Sequence, residues 1–205
     1  MLGQHGRGFT RAICTPPARL LNKAGVSPNS VTITGTLAAS IAALALLPSG
    51  HLVAGPLTIG FIVFADSLDG TMARLAGQES FFGAFLDSTL DRITDGAIFT
   101  AFVLYFAFHP SSASTAGLIA ALAATVLGGV VPYARARAEA GGYSAAVGIA
   151  ERSDRLLISL VAAFAVGLGL PAWVLVVALA YLAVAAAITV GQRIWAVYSQ
   201  TTNSR

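Results

Sequence analysis

Four aspartates lie within one 26-residue stretch of this chain, DSLDGTMARLAGQESFFGAFLDSTLD, at residues 66–91. Asp66 and Asp69 are three residues apart and Asp87 and Asp91 are four apart, so each pair shares one face if its segment is helical. If the two helices pack antiparallel through the short turn between them, the four carboxylates converge on one pocket. Carboxylate oxygens suit hard divalent cations, and two cations roughly 3.5–4 Å apart can clamp both oxygens of a phosphoryl displacement. A metal-free proton or sodium pathway remains the main alternative at this point.

The residues beside these acids favour a phosphate ligand. Gly70 directly follows Asp69, and Gly83 precedes Asp87 by four positions. A glycine within a helix costs about 1 kcal/mol relative to alanine, so these two indicate close approach by a ligand or by another backbone. Arg74 lies one helical turn after Gly70, where its guanidinium could contact a phosphate. The combination favours a diphosphate substrate over an ion pathway.

The segments that must position these residues are strongly apolar. The chain has 205 residues, of which 56% are hydrophobic and 10% are charged, and its mean hydropathy is +0.77. Ser30–Pro48, Gly96–Ala134 and Leu156–Gln192 contain no Asp, Glu, Lys or Arg. A helical bilayer crossing needs roughly 20 mainly apolar residues. We therefore predict an all-α integral membrane protein rather than a soluble helical bundle.

Clusters of proline and glycine divide the apolar blocks near residues 48–51, 109–112 and 167–171. The division predicts six transmembrane helices, preceded by a cytoplasmic, interfacial, amphipathic segment at residues 1–28. We predict that residues 1–205 form a single membrane domain. The predicted spans lie near 30–48, 52–75, 81–108, 114–137, 153–168 and 171–195.

The basic residues predict the orientation of the chain. All twelve Lys and Arg fall on one side of this even-span arrangement, and the three opposite loops have none. Because Lys and Arg mark the cytoplasmic side, both termini and the aspartates are expected on the cytoplasmic side of the cell membrane. No apolar core precedes Ser30, so we expect no cleaved signal peptide. The lone Cys14 has no predicted role, and no nucleic-acid partner is expected.

The aspartate stretch resembles the signature of the CDP-alcohol phosphotransferases, D-x-x-D-G-x-x-A-R-x8-G-x-x-x-D-x-x-x-D. This resemblance implies transfer of a phosphatidyl group from CDP-diacylglycerol to an alcohol with release of CMP, carried out by a homodimer in the lipid membrane. The eight fixed positions are all present, as Asp66, Asp69, Gly70, Ala73, Arg74, Gly83, Asp87 and Asp91.

The same resemblance assigns roles. Asp66, Asp69, Asp87 and Asp91 would hold two Mg2+ ions, for which Mn2+ could substitute, and Asp91 would also be the general base. Asp95 lies outside the pattern and is expected to tune Asp91 or to pair with Arg92, not to bind metal. The implied CDP-diacylglycerol-binding residues are Asn29, Ser30, Val31, Thr32, Asp66, Asp69, Gly70, Ala73, Arg74, Ser80, Gly83 and Asp87. Residues 27–32 resemble the family's segment that opens the first span, but their composition is equally that of a plain helix start.

A second basic group lies where predicted span four ends and span five begins. Arginine matches phosphate oxygens with bidentate geometry, although positive-inside anchoring alone could explain these residues. The runs RARAEAGG and GIAERSDR resemble the branch of the family whose acceptor is inositol 1-phosphate (D-myo-inositol 3-phosphate). That resemblance implies binding of the acceptor phosphate by Arg135, Arg137, Arg155 and Arg193. A phosphatidylglycerophosphate synthase or another acceptor is the alternative, and a carboxylate-lined ion transporter is a remote one.

Overall fold

The computed structural model describes residues 15–66, 68–149 and 151–203, and all regular secondary structure within these residues is helical. Residues 1–14, including Cys14 and much of the predicted interfacial segment, lie outside the described residues. The helices are α1 (15–23), α2 (Pro28–Leu46), α3 (Ala54–Asp66), α4 (Leu68–Ala76), α5 (Phe81–Phe108), α6 (Ser114–Ala140), α7 (Arg152–Gly167) and α8 (Trp173–Asn203).

The helices confirm the all-α class, and several agree closely with the predicted spans. Helix α5 has the predicted bounds, whereas the second predicted span consists of α3 and α4 on either side of residue 67. Three helices are long and apolar enough to cross a membrane, judged by length and composition among the described residues: Pro28–Leu46, Ser114–Ala140 and Trp173–Thr202. The count of six spans therefore remains a prediction.

The chain divides into two compact units. Unit one comprises Met1–Ala42 and Thr58–Thr94, and unit two comprises Ala43–Leu57 and Asp95–Arg205. The predicted metal and nucleotide residues belong to unit one, whereas the predicted acceptor arginines belong to unit two. The sequence-based prediction of a single domain stays a prediction.

Helix α2 opens unit one with a capped start and has an outward apolar face. Ser27 caps the helix, because its Oγ accepts a hydrogen bond from the amide of Ser30 at 3.1 Å, and Pro28 occupies the first helical position. Ile33, Leu37 and Ile41 form an exposed stripe, while smaller residues such as Thr32 are buried. Large apolar side chains outside and small or polar ones inside are typical of a helix that faces lipid.

A tight turn reverses the chain between α4 and α5. Gly77 has a positive φ of 63°, and the amide of Gln78 donates to the carbonyl of Ala73 at 2.9 Å, which closes the end of α4. Ser80 then caps α5 by accepting a hydrogen bond from the amide of Gly83 at 3.0 Å. The short connection therefore ends with its polar side chains next to the first turn of α5.

In unit two, the loop between α6 and α7 is fixed to α8. The Gln200 side chain accepts a hydrogen bond from the amide of Ser144 at 3.0 Å and donates one to its carbonyl at 2.7 Å. Arg193 Nε donates to the carbonyl of Val147 at 3.0 Å. After the loop, a capping box between Glu151 and Asp154 starts α7. These contacts hold the arginines at the start of α7 and near the end of α8.

Candidate active site

Three of the four signature aspartates converge in unit one. Asp66 ends α3, and Asp87 and Asp91 lie one turn apart near the start of α5. One carboxylate oxygen from each lies within 4.8 Å of the others. The Oδ2 atom of Asp91 is also 3.5 Å from a terminal nitrogen of Arg92.

The chemistry of these donors fits a divalent cation. Carboxylates this close repel one another, and the charge of Arg92 can offset only one of three negative charges. Carboxylate oxygens are the ligands that Mg2+ and Mn2+ favour, whereas soft metals select sulfur ligands. Asp66, Asp87 and Asp91 could therefore hold a hard divalent ion.

Asp69 lies outside this group of three. It is buried, with 9% of its surface exposed. Its Oδ2 accepts a hydrogen bond from Thr32 Oγ1 at 2.5 Å, and its Oδ1 accepts one from the amide of Gly70. The structure thus brings together three of the four predicted metal ligands, and a metal role for Asp69 stays a prediction.

A pocket of about 310 Å3 adjoins the carboxylates, since Asp87 belongs to both. Its walls come from the start of α2, from α4, from the turn after Gly77 and from the first turns of α5. A cavity of this size is typical of a small-molecule or cofactor site. Of the residues predicted to bind CDP-diacylglycerol, those that line the pocket are Asn29, Thr32, Asp69, Gly70, Ala73, Arg74, Ser80, Gly83 and Asp87. Ser30 and Val31 are not among the lining residues, and Asp66 lies in the carboxylate group.

The signature glycines lie in the wall of this pocket. A Cβ atom on Gly83 would be 3.2 Å from Ser80 Oγ and 3.5 Å from Asn29 Oδ1. A Cβ atom on Gly70 would be 3.7 Å from a terminal nitrogen of Arg74. A side chain at Gly83 would therefore crowd Ser80, whereas one at Gly70 would make only an ordinary contact with Arg74, and close approach of a ligand at either glycine stays a prediction.

The sequence interpretation missed other residues of the pocket. Gln78, Glu79 and Ala84 also line it, and Ser27 and Pro28, which line it too, belong to the segment 27–32 that the sequence had already singled out. Gln78 and Glu79 could have been recognised by their polarity in the turn immediately after Gly77. The sequence analysis treated that turn only as a connection between two helices.

In unit two, two of the predicted acceptor arginines act on a third. The positive charges of Arg135 and Arg155 both act on the guanidinium of Arg193. Arg193 donates to the carbonyls of Val147 and Val131, and Arg135 pairs with Glu139 at 2.8 Å. Arg137, the fourth predicted residue, is exposed near the end of α6.

Arg155 is the buried member of this cluster, with 3% of its surface exposed. It donates to the carbonyl of Gly128 at 2.9 Å and pairs with Asp95 Oδ2 at 2.9 Å. The other oxygen of Asp95 lies 3.0 Å from Arg152 Nε. The sequence analysis expected Asp95 to tune Asp91 or to pair with Arg92, and it did not predict either of these partners from α7.

The pocket and the group of three carboxylates are consistent with the family that the aspartate signature indicated. A profile of the family described as CDP-alcohol phosphatidyltransferase matches residues 25–180, and the chain belongs to this family. The resemblance seen in the aspartate signature is thereby confirmed, as is the expectation of an enzyme. The chain is similar to phosphatidylinositol phosphate synthase of Cutibacterium acnes, with 46% identity over 95% of this chain and 96% of that protein. It is 43% identical to phosphatidylinositol phosphate synthase of Mycobacteroides abscessus, over 96% of this chain and 89% of that protein.

The chain is also similar to solved structures of a phosphatidylinositol phosphate synthase. The crystal structure of Mycobacterium tuberculosis phosphatidylinositol phosphate synthase with CDP-DAG bound matches with a TM-score of 0.85 and 42% identity, over 91% of this chain and 94% of that chain. The structure of the same M. tuberculosis protein with manganese and citrate also has a TM-score of 0.85 and 42% identity, over 90% and 88% of the two chains.

Proposed function

We propose that this chain transfers the phosphatidyl group of CDP-diacylglycerol to inositol 1-phosphate (D-myo-inositol 3-phosphate), giving phosphatidylinositol phosphate and CMP. The observation that carries the proposal is the pocket lined by signature residues that shares Asp87 with a group of three carboxylates. The similarity to phosphatidylinositol phosphate synthases over most of the chain supports this acceptor.

In the proposed reaction, Asp91 removes the proton from the acceptor hydroxyl. The oxygen attacks the phosphorus that carries diacylglycerol, a new P–O bond forms, and the bond from this phosphorus to the bridging oxygen breaks. CMP leaves with that oxygen. Arg74 lies in the pocket wall, where its guanidinium can bind a phosphate of the CDP moiety. Thr32 fixes the carboxylate of Asp69 at the same wall.

We propose that Asp66, Asp69, Asp87 and Asp91 bind two divalent ions, with Mg2+ as the cofactor and Mn2+ as a substitute. Bound divalent ions would supply charge stabilisation to the diphosphate and to the leaving CMP. Two observations support this assignment: the close approach of Asp66, Asp87 and Asp91 in this chain, and the presence of manganese in the structure of the M. tuberculosis relative.

The acceptor phosphate is proposed to bind Arg135, Arg137, Arg155 and Arg193. Clustered guanidinium groups repel one another, and a dianionic phosphate would relieve this repulsion. The effect of the Arg135 and Arg155 charges on the Arg193 guanidinium supports the proposal. Asp95 and Gly128 would hold the Arg155 guanidinium in place.

Arg135→Ala is expected to raise the KM for inositol 1-phosphate roughly tenfold, the loss of one charge-assisted hydrogen bond of about 1.5 kcal/mol. The KM for CDP-diacylglycerol should stay unchanged, because Arg135 is not among the residues that line the CDP pocket. Steady-state kinetics with each substrate varied in turn measures both. Glu139→Gln is the matched control, since it removes the partner of an exposed ion pair and keeps the arginine. Equal acceptor KM values in the two variants would contradict a phosphate contact at Arg135.

An acceptor panel tests the function itself. Purified protein with labelled CDP-diacylglycerol and Mg2+ is offered inositol 1-phosphate, inositol, glycerol 3-phosphate or serine, and the released CMP and the lipid product are measured. We expect turnover with inositol 1-phosphate alone. If glycerol 3-phosphate were the only acceptor that supports turnover, it would take the place of inositol 1-phosphate in the proposed reaction. Ion flux through the protein without release of CMP would refute the enzymatic proposal.

We propose that the chain crosses the cell membrane six times as one domain, residues 1–205, with both termini and the active site cytoplasmic. The family match from residue 25 to residue 180 runs through both compact units, which supports a single functional domain. The placement of every Lys and Arg on one side supports the orientation. Assembly as a homodimer is part of the same proposal, and cross-linking in native membranes tests it.

A further inference from the structure

One face of α2 lies beside acidic residues of unit one. Asn29, Thr32 and Gly35 are spaced by three residues and so lie along one side of the helix. Asn29 reaches the pocket wall at Gly83, and Thr32 binds Asp69. The third position has no side chain.

The space beside Gly35 holds the carboxylate of Asp66. A Cβ atom on Gly35 would be 2.7 Å from Asp66 Oδ1, 3.4 Å from its Cγ and 3.6 Å from its Cβ, and these are the three nearest atoms. Real Cβ atoms essentially never approach a neighbour more closely than 3.0 Å. A residue other than glycine would therefore force the Asp66 carboxylate to move.

We propose that Gly35 is a positioning residue for the metal site, an inference that rests on the proposed function. The missing side chain leaves the volume in which the Asp66 carboxylate lies when its oxygen is within 4.8 Å of those of Asp87 and Asp91. Glycine is less favourable than alanine within a helix, so its presence in the middle of α2 has this steric reason. Alanine would turn a proposed ligand away from the other two and weaken metal binding.

Gly60 provides a matched control. It lies in α3, the helix that carries Asp66, and a Cβ atom there would meet nothing within 4 Å. Gly35→Ala and Gly60→Ala thus make the same chemical change in the same compact unit, and only the first places an atom against Asp66.

The test measures Mn2+ binding to the purified full-length protein by electron paramagnetic resonance and by the Mn2+-dependent rise in Tm. We expect Gly60→Ala to match the original chain and Gly35→Ala to bind Mn2+ roughly tenfold more weakly, the lower end of the range for supporting residues at metal sites. Without metal, both variants should melt at or slightly above the original Tm, because alanine favours helix. Equal Mn2+ affinity in the two variants would overturn the inference. A lower metal-free Tm for Gly35→Ala would also overturn it, because the added atom would then disturb helix packing instead of the ligand.

A double-mutant cycle tests whether Gly35 acts through Asp66. In an Asp66→Ala background, Gly35→Ala should cause no further loss of Mn2+ affinity, because the side-chain oxygen that it displaces is already gone. Additive losses would refute the proposed route. If the original chain itself binds no Mn2+, the proposed function fails, and this result is distinct from equal affinity in Gly35→Ala and Gly60→Ala.

Discussion

Asp91→Asn is expected to lower the rate of CMP release by at least about 100-fold, the contribution typical of a general base. Asparagine has nearly the shape of aspartate and can still offer an oxygen to a cation, but it cannot accept the proton of the acceptor hydroxyl. Because the pocket lining does not include Asp91, affinity for CDP should change little. Single-turnover release of labelled CMP and equilibrium binding of CDP measure the two quantities.

The same variant separates loss of the base from loss of a metal ligand. A variant that is defective only in metal binding should recover turnover at saturating Mn2+, whereas one without its base should not. Asp91→Glu, which keeps a carboxylate, should retain more activity than Asp91→Asn at every Mn2+ concentration. Full recovery of Asp91→Asn by added Mn2+ would contradict the role of Asp91 as base and leave it as a ligand only.

Asp95→Ala is expected to destabilise the protein by about 3–5 kcal/mol, the range for removal of one partner from a buried ion pair. The side chain of Arg155 is 4% exposed and that of Asp95 is 11% exposed, so little water is available to replace the lost carboxylate. Arg155 would keep its contact with the Gly128 carbonyl, but a carbonyl dipole does not neutralise a buried charge. Denaturant and thermal unfolding in detergent micelles, followed by circular dichroism, measure the change.

Arg152→Ala is the control for this effect. Arg152 is the more exposed partner of Asp95, at 27%, and its removal leaves the Asp95–Arg155 pair in place. We expect a loss of about 1 kcal/mol or less, as for other partly exposed ion pairs. A loss as large as that in Asp95→Ala would contradict the view that the buried pair dominates. Replacing the buried pair together, as Asp95→Leu with Arg155→Met, should recover part of the lost stability.

The sequence by itself determined the helices and the chemistry of the site. Long charge-free blocks broken by proline and glycine predicted the all-helical class, and the bounds predicted for α5 agree with the structure. The offset of four residues predicted that Asp87 and Asp91 share a helix face, because helical periodicity is a local property, whereas the offset of three did not bring Asp69 into the group that contains Asp66. Eight fixed positions within 26 residues indicated the family that the profile match confirms.

Only the tertiary structure decided which residues meet across helices. It grouped Asp66 with Asp87 and Asp91, and it placed Asp69 against Thr32, which is 37 residues earlier in the chain. It also paired Asp95 with arginines 57 and 60 residues further on. Such contacts depend on the rotation and depth at which helices pack, and helical periodicity leaves both open.

Gly35 shows the same limit most clearly. In the sequence it is one of 21 glycines, and it lies beyond the residues at the start of α2 that the resemblance assigned to the nucleotide. It lies beside Asp66 through a contact between α2 and α3. A Cβ atom on Gly35 would be 2.7 Å from Asp66 Oδ1, so a side chain can be accommodated only if the carboxylate moves. The sequence determined which residues could bind a metal and a diphosphate. The packed structure decided which of them share one site, because steric exclusion acts between atoms that are distant along the chain.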